Sequence, residues 1–60
     1  MNIEGIRNPR YLHGGAIDCE IKFSGDDVFM PYTAIADDIS ETGQHIWQEL
    51  QSGRWGEIAP

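Results

Sequence analysis

Cys19, His13 and His45 are the only thiol and imidazole groups in this chain of 60 residues. A structural zinc site needs four Cys or His ligands at short, paired spacings, so one cysteine and two scattered histidines cannot supply one. Nucleophilic catalysis by Cys19 would need an exposed thiolate beside a base in an electropositive setting. Cys19 instead alternates in phase with Ile17 and Ile21, which makes it a small core hydrophobe. The carboxylate pairs Asp26-Asp27 and Asp37-Asp38 are the other candidates for chemistry. Paired acids perturb one another usefully only where water is excluded, and these two pairs flank a turn and a helix start. A calcium loop would need regularly alternating oxygen ligands, and Asp26-Asp27-Val28-Phe29-Met30 breaks that rhythm at once. Gly14-Gly15 leads into a strand rather than a helix, so it is no phosphate loop. The residues therefore predict no catalytic group, no metal site and no cofactor.

The elements that must hold these residues read clearly in the middle of the chain. Ile17, Cys19, Ile21 and Phe23 alternate with Asp18, Glu20 and Lys22, the pattern of a strand with one buried and one wet face. Arg7–Leu12 precedes it across His13-Gly14-Gly15, where glycines supply the backbone freedom of a tight hairpin. Val28–Thr33 follows it across Ser24-Gly25-Asp26-Asp27. Proline lacks the ladder donor and belongs at sheet edges. Pro9 and Pro31 fall in the outer segments, which puts Ile17–Phe23 at the centre of a three-stranded antiparallel meander.

From residue 37 the period changes. Ile39, Gly43, Ile46, Trp47 and Leu50 share one helical stripe. Asp38 is the expected cap, with Glu41 its capping-box partner and Gly53 the stop, so the helix is expected over Ile39–Ser52. Gly43, costly in a helix interior, suggests close approach of the helix backbone to the sheet. The stripe must cover the apolar face of the sheet, giving an α+β fold in the order β-β-β-α. The expected organisation is one small domain over residues 1–60, with a flexible N-terminus at 1–5 and a non-periodic tail at 54–60. That tail carries Arg54, Trp55 and Ile58, which either fold back as a lid over the core or meet a partner.

Length and charge narrow the function classes. Sixty residues make one domain with a small core. Ten Asp and Glu oppose four Lys and Arg, a net charge of −6. In residues 1–25 the charges cancel. Beyond them Asp26, Asp27, Asp37, Asp38, Glu41, Glu49 and Glu57 face Arg54 alone. No basic stripe exists for nucleic acid, and no apolar run is long enough to span a bilayer. Without a cationic and apolar leader, and with one lone thiol, synthesis is expected in a reducing cytoplasm. Two non-enzymatic readings follow. One is a protein–protein interaction module that uses a sheet edge, for itself or another chain, or the tail. The alternative is an acidic nucleic-acid-mimicking inhibitor of a DNA-binding protein, presenting Asp37, Asp38, Glu41 and Glu49.

Tyr11, Gly15, Ile17-Asp18-Cys19, Phe23, Pro31-Tyr32-Thr33-Ala34, Asp37-Asp38, Gly43, Leu50, Gly53 and Gly56-Glu57-Ile58-Ala59-Pro60 carry a further signal. In these residues, over most of its length, the chain resembles short proteins encoded near the tail genes of tailed bacteriophages and prophages. The resemblance implies a phage-derived, non-enzymatic protein, a tail or tail-fibre accessory with a phage structural protein as partner and a place in the host cytoplasm or the virion. It transfers no functional residue.

Overall fold

The computed structural model describes residues 2–60. Its elements are β1 (Ile3–Tyr11), β2 (Ile17–Phe23), β3 (Met30–Ala34) and the helix α1 (Glu41–Gln51). The strands form one antiparallel sheet in the order β1-β2-β3, so the fold is α+β with β-β-β-α order.

The alternation in β2 sets the layers. Ile17, Cys19 and Ile21 are buried under the helix with Ile6, Ala34, Ile46 and Leu50, while Ile3, Phe23, Tyr32 and Trp47 close the rim of this core. On the opposite face, ion pairs cross the β1–β2 seam from Arg7 to Glu20 (3.1 Å), Arg10 to Asp18 (3.7 Å) and Lys22 to Glu4 (2.6 Å). Exposed pairs of this kind contribute at most about 1 kcal/mol each, so burial of the apolar face is the main stabilising term.

β1 begins earlier than its sequence pattern suggests. Residues 3–5, expected to be a flexible N-terminus, pair with β2 through Ile3 opposite Phe23 and Gly5 opposite Lys22. The same expectation for Met1 lies outside the described residues. Gly5 is the reason the pattern is hard to read. A Cβ there would stand 3.2 Å from the ring of Phe29, which lies across the outer face beneath the Arg7 guanidinium, 4.0 Å from the ring centroid. Phe29 thus belongs to the approach to β3 rather than to the strand, which starts one residue later and ends at Ala34 instead of Thr33.

Asn8 and Pro9 form a bulge, the register slipping between Arg7–Glu20 and Arg10–Asp18. Asn8 adopts φ 55°, a left-handed conformation that asparagine tolerates better than most residues, and its amide donates to Glu20 Oε1 at 2.8 Å. At the β1–β2 hairpin, Gly14 and Gly15 have φ 97° and 95°, as the Gly-Gly turn demands.

The helix start differs from the expected one. Ser40, not Asp38, is the N-cap: its Oγ accepts from the Gly43 N–H at 3.0 Å. Asp38 stands one layer back, where Oδ1 accepts from both the N–H and the Oγ–H of Ser40 at 2.9 Å. Glu41 is then the first helical residue, useful to the helix dipole but not placed for a capping box. The helix is Glu41–Gln51 rather than Ile39–Ser52. Ile39 consequently leaves the apolar stripe and is 97% exposed. Gly43 is buried as expected, but its neighbour is not the sheet. A Cβ there would overlap the Asp38 carboxylate, so the close approach is between the helix and its own capping loop.

Candidate protein-interaction surface

The tail has a defined path. Gly53 (φ 77°) ends the helical run and Gly56 (φ 97°) turns the chain back, its N–H donating to the Gly53 carbonyl at 3.2 Å. Trp55 is half-buried against the core, and its indole N–H donates to Glu49 Oε1 at 3.0 Å. Arg54 lies 5.4 Å from the Trp55 ring and 3.6 Å from the same Glu49 oxygen. Ile58 also packs on the core rim. Ala59 then bridges β1 in parallel: its N–H donates to the Pro9 carbonyl at 2.9 Å and its carbonyl accepts from the Tyr11 N–H at 2.8 Å. Of the three residues singled out for a partner, Trp55 and Ile58 face the protein's own core and only Arg54 is exposed. A shallow depression of about 350 Å³ runs under the tail, between Tyr11, Leu50 and Ile58.

The bridge reveals which backbone groups face which way. In an antiparallel strand successive residues point their N–H and C=O alternately to one side and the other. Tyr11 points outward to Ala59, whereas the Leu12 N–H donates inward to the Ala16 carbonyl at 2.7 Å. Arg10 and Asp18, paired in register, therefore bond to each other, and Ile17, Cys19 and Ile21 direct their backbone groups to Ala34, Tyr32 and Met30. Pro31 and Thr33 are left facing the outer edge of β3. Pro31 thus sits where its missing donor costs no ladder bond.

That outer edge is open. Among the described residues, no backbone or side-chain hydrogen bond joins Pro31, Thr33 or Ile35 to anything beyond β2. No Asp, Glu, Lys, Arg or His occurs from Val28 to Ala36. Around the strand stand exposed apolar side chains: Val28 (60%), Met30 (55%), Ile35 (42%) and Ile39. Sequence reasoning found the edge through Pro31 but assigned its exposed Ile39 to the core.

The groups that could do chemistry stay apart. His13 is exposed in the hairpin turn, His45 is exposed on the helix, and Cys19 is buried in β2. Burial first, and the neighbouring Asp18 and Glu20 charges second, push the Cys19 thiol up to about 11, so it is neutral at physiological pH. Among the described residues no three His, Cys, Asp or Glu side chains gather as a metal-binding group. A second depression, about 180 Å³, is lined by Phe23, Glu41, Thr42 and His45, a set without a positioned acid–base pair. Among the described residues no helix is long and apolar enough to cross a membrane.

The acids considered as a phosphate-like face are only partly available. The Asp38 carboxylate is turned to Ser40, and Glu49 is shared by Trp55 and Arg54. Each of the four cationic side chains likewise has an acidic partner. Comparison with known proteins gives no match to a family model, a curated protein or a solved structure.

Proposed function

We propose that this chain is a non-enzymatic protein–protein interaction module of phage or prophage origin, an accessory to tail structure. The observation that carries the interaction reading is the outer edge of β3, a charge-free strand with unpaired backbone groups flanked by exposed apolar side chains. Native proteins usually blunt such edges with lysine, a cover or a strong twist, because an exposed strand adds strands from other chains. Here only Pro31 limits the pairing. The phage origin rests on the sequence resemblance alone.

The test is affinity capture from the native host with the chain as bait, run beside Ile39→Asp. Ile39 touches almost nothing in the fold, so the substitution alters the surface and spares the core. The reading expects a phage structural protein, or another copy of the chain, to be retained by the wild type and lost from the variant. A DNA-binding enzyme retained equally by both, and released by salt, would favour the acidic inhibitor instead.

A further inference from the structure

We infer that the occupant of the β3 edge is a second copy of this chain, paired antiparallel about a two-fold axis at Thr33 to make one continuous six-stranded sheet. This rests on the interaction-module reading and names its partner.

Three observations converge on a second copy. The first is hydrogen-bond complementarity. Thr33 points both its N–H and its C=O outward, so two copies meeting at Thr33 satisfy each other reciprocally. In the same register the Ile35 N–H of each copy meets the Pro31 carbonyl of the other. The donor that Pro31 lacks then falls at the end of the pairing, where the unmatched Ile35 carbonyl stays in water. A two-fold axis at Tyr32 would instead set Pro31 against Thr33 and strand a Thr33 carbonyl inside the ladder. Proline therefore disfavours the Tyr32 register and is compatible with the Thr33 one, rather than forbidding the pairing.

The second observation is charge. Two copies of a chain with net charge −6 repel one another over most of their surface. The β1 edge carries Glu4, Arg7 and Arg10 and is crossed by the tail at Pro9–Tyr11. The β3 edge runs from Val28 to Ala36 without Asp, Glu, Lys, Arg or His, so the paired segment itself sets no like charges opposite one another; Asp26-Asp27 and Asp37-Asp38 lie just beyond its ends, where the two copies repel and salt should strengthen the pairing.

The third is area. Val28, Met30, Ile35 and Ile39 together expose on the order of 400 Å² of side chain, shared between the two faces beside the edge, since Met30 and Ile35 are of opposite parity along the strand. Stable interfaces bury about 800 Å² per partner. Strand pairing plus part of these side chains falls short of that figure, so the association is weak and depends on protein concentration.

The experiment combines sedimentation with cross-linking. The wild type is expected to double its mass as concentration rises, and Thr33→Pro, which removes the outward N–H without breaking a bond to β2, is expected to stay monomeric with an unchanged circular dichroism spectrum. Because that variant could disturb the strand, Thr33→Cys gives an independent reading. Across a bonded antiparallel pair the Cα atoms stand about 5.5 Å apart, within disulfide reach. Under mild oxidation Thr33→Cys should form a covalent dimer several-fold faster than Ile35→Cys, whose opposite residue is Pro31. The buried Cys19 gives the wild type no such product. A wild type monomeric at every concentration, or equal cross-linking by the two cysteine variants, would overturn the second copy. A monomer that still retains a heterologous protein in the capture experiment would overturn this inference alone and leave the interaction-module reading standing.

Discussion

The two edges of the sheet are built from opposite materials. At β1 the chain carries a bulge and charged side chains, and its own last residues lie along the edge, where Ala59 takes the place that a foreign strand would need. At β3 it spends one proline. In a chain of 60 residues whose described core holds only seven buried hydrophobic residues, covering both edges would require surface the protein does not have. The edge that is closed is the one the tail can reach. The edge that stays open is the uncharged one, which suits it to another chain.

The largest effects should fall on what the two edges share. Ile21 and Ile46 are fully buried between sheet and helix. Replacing either by alanine should cost about 2–5 kcal/mol, a large part of the stability of so small a domain. Glu20→Ala should cost well under half as much in thermal melts. If Ile21→Ala and Glu20→Ala melt together, the edges do not rest on a common core and the comparison fails.

Removing residues 54–60 should act on one edge only. The loss of half-buried Trp55 and Ile58 is expected to lower stability by about 2–4 kcal/mol. It should also expose the Tyr11 and Pro9 backbone groups, so that the truncated protein associates through β1 as well as β3. A truncated protein as stable as the parent, with wild-type association, would show that the tail covers nothing.

A smaller effect sharpens the account of the loop that joins β3 to the helix. Alanine at position 43 gains up to about 1 kcal/mol of helix propensity but displaces the Asp38 carboxylate from Ser40. In the wild type the two terms should nearly cancel. In an Asp38→Ala background only the gain remains, so Gly43→Ala should then raise the melting temperature. Equal effects in both backgrounds would remove Asp38 from the explanation.

The smallest effect is electrostatic and belongs to the β1 edge. Hydrogen bonds from Asn8, then from Arg7, hold the Glu20 carboxyl below its ordinary value. A carboxylate favoured by the fold adds stability above the ordinary glutamate range and loses it as pH falls through the lowered folded value. In an NMR titration Asn8→Gly, which relieves the positive φ while removing the amide, should return Glu20 toward the ordinary value. No movement would mean that the bulge does not position Asn8 on Glu20.

How far these features could be read in the sequence depends on periodicity. The β2 alternation and the Ile46, Trp47, Leu50 stripe are periodic because they face one continuous core, and strand order followed from where the prolines stood. The helix cap was not legible in the same way. Asp37, Asp38 and Ser40 are all good caps by residue type, and hydrogen-bond direction alone separates the cap from its supporter. Shifting the cap from Asp38 to Ser40 moved Ile39 from core to solvent, and with it one of the exposed side chains beside the open edge. The Ala59 bridge had no signal at all, since a single parallel contact has neither period nor composition. Phe29 was hidden because its partner, Gly5, has no side chain to pair with it.

Amide hydrogen exchange tests the difference between the edges most directly. Tyr11 N–H donates to Ala59, while Thr33 N–H faces the unpaired side of β3. In dilute solution the account predicts a protected Tyr11 amide and a freely exchanging Thr33 amide, with Thr33 gaining protection as concentration rises. Equal exchange at Tyr11 and Thr33 in the dilute protein would contradict it.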